Sequence, residues 1–226
     1  MMSYLDQGEN KTLSIKRKRM MIYFIEATQK LLHADGLEEI SIRRIATEAG
    51  YNSATIYNYF QDLDHLILFG SVCYLREYLI FLSNTLRPEM SSIDRFRTIY
   101  RCFNEFAFRN PEIFHNMFFG RHSHMLEDVL RIYYTELFPN ELDGIPESMR
   151  RMMFSGNMRE RDSVTMYEMV KEGFVAPEKV DATLDLIVAT HQNFIYQACI
   201  EGDKLDIESH KKHFEALFEY LLSAAK

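Results

Sequence analysis

The sequence predicts an all-α protein on two observations. Apolar residues recur mostly three and four apart, and glycine and proline are scarce, nine and five in 226 residues. The length suits one large domain, or a small one in front of a larger one. A composition 47% hydrophobic and 26% charged excludes a disordered or fibrous chain.

The first helix is expected from Ser14 to Ala34. Phe24, Ala27, Thr28, Leu31 and Leu32 form its apolar stripe, and Asp35-Gly36 is its stop. Ser41 caps a second helix whose inner face is Ile42, Ile45, Ala46 and Ala49, ended by Gly50. Asn52 caps a third, Ser53 to Tyr59, with Ile56 and Phe60 turned inward, and Asp62 offers the next cap. Two short helices joined by a glycine turn, with a longer helix behind, form a helix-turn-helix. Small residues at Ser53, Ala54 and Thr55 let the end of the third helix approach base edges in a major groove. The hydroxyls of Thr55, Tyr57 and Tyr59 are candidate phosphate contacts.

Charge supports that reading. The net charge is −7, yet Lys11 to Phe60 holds eight basic residues against five acidic ones. The basic candidates are Lys16 and Arg17 at the start of the first helix and Arg43 and Arg44 in the second; Asn52 and Asn58 complete the set.

Phe24 to Leu66 resembles the N-terminal domain of the TetR family of bacterial transcriptional regulators. The segments that carry the likeness are FIEATQKLLHADGL, ISIRRIATEAGYNSATIYNYF and DLDHL, in that family's order and spacing. The resemblance implies a homodimer on double-stranded operator DNA and a helical C-terminal domain that binds a small effector. Ser53 and Leu63 stand where the family often has lysines, so two positive charges are missing. Lys16-Arg17-Lys18-Arg19 and the Arg43-Arg44 pair can replace them. The rival reading is a ligand-binding or protein-partner module that no longer binds DNA.

The domain reading is a flexible arm over residues 1–15, the DNA-binding head over 16–62, and a ligand-binding and dimerisation body over 63–226. The body opens with one long connecting helix, Leu63 to Leu82. Further helices are expected over Ser92–Phe108, Pro111–Phe119, His122–Phe138, Glu147–Glu172 with a break near Gly156, Pro177–Ile200 and Ile207–Ala224. Stripes on the last two include Leu184, Ile187 and Ile195, then Phe214, Leu217, Phe218 and Leu221, the candidates for a four-helix dimer interface. The penultimate helix also carries Ala182, Ala189 and Tyr196 off its main face, and a helix apolar on more than one side has two partners. Phe103, Phe106, Met117, Phe118, Tyr133, His191 and Phe194 are candidates for lining an adaptable pocket for a small apolar or aromatic effector.

Other chemistries find little support. His115, His122 and His124 lack metal-ligand spacing, so no metal or other cofactor is expected. There is no GxSxG, glycine-rich phosphate loop or HExxH, so no enzyme is expected. Three dispersed cysteines point to a reducing compartment, and the uncharged run His65 to Leu75 is too short to span a bilayer, so the expected location is cytoplasmic, with no membrane partner.

Overall fold

Ser14 opens the first helix by accepting a hydrogen bond from the Arg17 amide, and α1 (Ile15–Asp35) runs to Gly36. The structure, a computed structural model, describes residues 13–143 and 145–226. Most of the arm expected over residues 1–15 therefore lies outside the described residues. α2 (Ile42–Ala49) starts on the Ser41 hydroxyl and ends at Gly50, whose φ of 76° and ψ of 28° place it in the left-handed region. The Tyr51 amide bonds back to the Ala46 carbonyl at 2.8 Å, which closes the turn as a Schellman motif.

α3 (Ser53–Ile56) is shorter than the expected Ser53–Tyr59. The amides of Asn58 and Tyr59 reach only three residues back, to the carbonyls of Thr55 and Ile56, so the last turn is tightened rather than lost. This tightening accompanies the turn of Phe60 into the core, where Phe24 meets the rings of Tyr51, Tyr59 and Phe60 at 5.5, 6.0 and 6.4 Å. A fully buried phenylalanine contributes about 1.5–3 kcal/mol.

The connector is not one helix. α4 (Leu63–Gly70), capped by Asp62, and α5 (Val72–Thr85) are separated at Ser71. A glycine-serine pair is a common site of helix kinks, and here the Ser71 hydroxyl bonds the Ile67 carbonyl at 2.8 Å. Gly70 lets α4 cross close to α1, because a Cβ there would lie 2.6 Å from Thr28 Cγ2. The apolar stretch is also longer than His65 to Leu75. Leu63–Thr85 is long and apolar enough by composition to cross a membrane, but 67% of its most apolar window is buried inside the fold.

The body continues with α6 (Ser92–Ala107), α7 (Pro111–Phe119), α8 (Leu126–Ile132), α9 (Glu147–Phe154), α10 (Met158–Lys171), α11 (Val180–Glu201) and α12 (Ile207–Ala224). Among the described residues there is no strand. The helix expected over His122–Phe138 is instead a 3-10 turn at Ser123–Met125, α8, and a π turn at Tyr133–Leu137. The expected break near Gly156 separates α9 from α10. α6 packs on α5 and α10, and α11 packs against α7, α10 and α12. The core therefore runs continuously from the head into the body.

Candidate nucleic-acid interface and effector cavity

On the head, α2 and the turn after α3 expose Arg43, Asn52, Ala54, Tyr57 and Asn58, while Ser53 and Thr55 are half-buried. Lys16 is exposed at the start of α1, and the Arg17 guanidinium sits 5.3 Å from the centroid of the Tyr59 ring. Tyr59 is half-buried against Phe24, so it serves the core as well as the surface. Tyr57, 56% exposed, projects as expected. Arg44 does not: its guanidinium lies 2.5 Å from Asp35, 3.6 Å from Glu39, and bonds the Glu39 carbonyl at 2.7 Å. These contacts tie α2 to the end of α1 and neutralise a charge expected to face phosphate. Arg43 makes no ion pair among the described residues. Two exposed rings escaped the sequence reading, Tyr23 and Tyr51, stacked with centroids 6.1 Å apart. Tyr23 sits one residue off the apolar stripe of α1, and that is its only signal.

The head meets the body through polar contacts as well as core. The Asp62 carboxylate accepts from the His65 amide at 2.9 Å and lies 2.9 Å from His122 Nε2, with Arg121 at 3.7 Å. Burial works against its charge, but the His65 amide, His122 and Arg121 hold the carboxyl below its usual range. Lys18 pairs with Glu136 at 2.7 Å, and Gln29 donates to the Tyr133 hydroxyl at 3.0 Å. His122, weighed in the sequence as a metal ligand, is thus a head-to-body strut. Tyr133 belongs to this junction, against Phe138 and Glu141, and not to a pocket with Phe103.

The other expected pocket residues are not brought round one cavity. Met117 is fully buried, Phe106 lies against Tyr78 and Phe81, and His191 and Phe194 are core between α6, α11 and α12. His191 Nε2 donates to Asn104 Oδ1 at 2.8 Å, and burial depresses the His191 pKa to about 3. Phe103 does line a cavity, of about 20 Å³, together with Tyr78, Tyr100, Met158, Arg161 and Asp162. Phe118 supports it from behind, its ring centroid 4.9 Å from the Arg161 guanidinium carbon. Tyr100 separates this cavity from a groove of about 180 Å³ between α6 and α12. That groove is bordered by the pairs Arg97–Glu219, Arg101–Glu215 and Lys211–Glu105.

Arg161 and Asp162 were missed, although the sequence carried a signal. Met158, Arg161, Asp162, Thr165, Met166 and Met169 recur at helical spacing, so both charges fall on the buried face of α10. Neighbouring Arg159 points outward and pairs with Asp181 and Asp185 at 2.5 and 2.8 Å.

Residues 24–68 match the family model of bacterial regulatory proteins of the TetR family. Among solved structures, the chain is similar to Thermus thermophilus FadR, a TetR-family transcriptional repressor in complex with lauroyl-CoA. The TM-score is 0.56 at 13% identity, over 88% of this chain and 92% of that one. RolR in complex with resorcinol is similar with a TM-score of 0.53 at 15% identity, covering 93% of this chain and 89% of that one. No curated protein matches the sequence. Residues 24–68 thus match the TetR-family N-terminal domain, and the chain as a whole shares the fold of these structures.

Within this TetR-family fold the expected dimer stripe needs correction. Leu184, Ile187, Ile195, Phe214 and Phe218 are at most 3% exposed, because they fill the protein's own core. Leu217 is 39% exposed and Leu221 half-buried, so only these two of the set remain near the surface. The second face of α11 is the open one: Ala182, Leu186, Ala189, Asn193, Tyr196 and Ile200 are exposed at alternating spacings of four and three.

Proposed function

We propose that the protein is a homodimeric, ligand-responsive transcriptional regulator, a repressor that a small apolar or aromatic effector releases from a palindromic operator. The observation that carries the reading is the α2–Gly50–α3 unit, which presents Arg43, Asn52, Ala54, Tyr57 and Asn58 outward. That unit stands on a body whose likeness includes two proteins holding small ligands, lauroyl-CoA and resorcinol. The exposed second face of α11, with Leu217 and Tyr220 of α12, supports pairing with a second copy. A two-fold dimer presents two heads, which calls for a roughly palindromic site.

Selection of duplexes from a random pool at low salt tests this reading. A palindromic sequence is expected to be enriched, and its affinity is expected to fall steeply with salt. Arg43→Ala should reduce the salt slope by about 1 per protomer, while Arg44→Ala should leave it nearly unchanged. The module that no longer binds DNA remains the second reading, favoured by the Arg44 pairing and by Ser53 and Leu63 at positions where lysines are common. An unenriched pool would establish it instead.

A further inference from the structure

Arg161 is 6% exposed, and its guanidinium is only partly satisfied. Nε donates to the Ser155 carbonyl at 3.0 Å and Nη2 to the Met153 carbonyl at 2.9 Å, which ties α10 to the end of α9. Nη1 is buried and has no hydrogen-bond partner among the described residues. The adjacent carboxyl group is engaged elsewhere: Asp162 Oδ2 accepts the Tyr100 hydroxyl at 2.5 Å. A buried cation with an unmade bond carries a larger penalty than a neutral group would. Burial lowers the Arg161 pKa only to about 10, so the guanidinium stays charged at neutral pH.

The surroundings specify what would complete it. Arg161 and Asp162 line the cavity of about 20 Å³, and the rest of its wall is aromatic or apolar: Tyr78, Phe103, Met152 and Met158. That volume holds one small polar group, not a ring or a chain. Met152 and Met158 are the movable part of the wall, since an unbranched thioether side chain repacks at little cost. Tyr78 stands on α5, which continues from α4, the helix that packs on α1 of the head.

Resting on the effector reading above, we propose that the ligand is an apolar monocarboxylate whose carboxylate is held by Arg161 Nη1 and whose body displaces Met152 and Met158. Arylcarboxylates and alkanoates share this chemistry, and a titration distinguishes them. Calorimetry on the full chain at pH 7 would compare benzoate with benzamide and octanoate with octanamide. One carboxylate is expected to bind about tenfold tighter than its amide, the difference between a charge-assisted and a neutral hydrogen bond. That preference should collapse in Arg161→Gln, which removes the charge, with folding checked by circular dichroism. Equal affinities for acid and amide, no binding of either acid, or an unchanged preference in Arg161→Gln would each overturn the proposal. If Arg161→Gln fails to fold, the acid-to-amide ratio on the parent chain decides alone. A carboxylate that binds with the expected preference yet leaves affinity for the selected duplex unchanged would uphold the site and refute the effector role.

Discussion

Three buried titratable side chains give the body opposing responses to pH. Asp162, raised to about 7 by burial against the help of Tyr100 and Arg161, keeps in the folded chain a proton that the unfolded chain releases near 4. Its contribution to stability is full below the unfolded pKa and is lost as pH rises through about 7. His65 and His191 act in the opposite direction, because burial lowers them to about 4 and about 3. The unfolded chain protonates them as pH falls below 6.5, so they cost stability over that range. Asp162→Asn keeps an acceptor for the Tyr100 hydroxyl and removes only the first effect. The variant should therefore gain on the parent as pH rises from 5 to 7.5, measured by urea denaturation. Parallel stability profiles would show that Asp162 is ionised throughout.

At the scale of the element, two glycines hold the head together for different reasons. Gly50 has open space where a Cβ would sit but a φ of 76°, so Gly50→Ala should cost about 1–2 kcal/mol through the backbone alone. Gly70 lies at an ordinary helical φ but against Thr28, so Gly70→Ala should cost about 1–3 kcal/mol through crowding. Removing Thr28 Cγ2 with Thr28→Ser should restore part of the second loss and none of the first, as denaturant midpoints would show. Elements bounded by caps, prolines or glycines were legible in the sequence, among them α2 from Ser41 to Gly50 and α7 from Pro111. The division at Ser71 was not, because the apolar pattern continues through it and the Ser71 hydroxyl bond to the Ile67 carbonyl that marks it is not visible in periodicity. For α11 and α12 the apolar stripes were legible, but periodicity says that a face is apolar and not what covers it. Leu184 and Phe214 therefore looked like dimer residues when they are core. At the candidate interface, Tyr57 and Arg43 followed from helix spacing, whereas the diversion of Arg44 depends on where Asp35 and Glu39 come to lie.

At the scale of the whole molecule, the second face of α11 is left unpartnered among the described residues. Leu186 is 53% exposed near the middle of the open stripe on α11, so Leu186→Glu should leave the protomer folded while placing a charge in the seam. Light scattering should then report the mass of one chain, and affinity for a palindromic duplex should fall because each half-site must be bound separately. A dimer that survives the substitution would place the interface elsewhere.

The division of Leu63–Thr85 into α4 and α5, buried on most sides, also has a consequence in time. The chain is made in order, and this stretch leaves the ribosome before most of what covers it. α6, which packs on α5, ends at Ala107, and α9, which also packs on it, ends only at Phe154. At about 5–20 residues per second, roughly 1–4 s pass after Thr85 before α6 is complete, and until then the 23 apolar-rich residues have only α1–α3 to lean on. Helix α1, already complete, can cover α4 through the Thr28–Gly70 crossing during that interval. The same close approach that positions the head thus shelters α4, eight of those 23 residues, while the rest of the protein is still being synthesised.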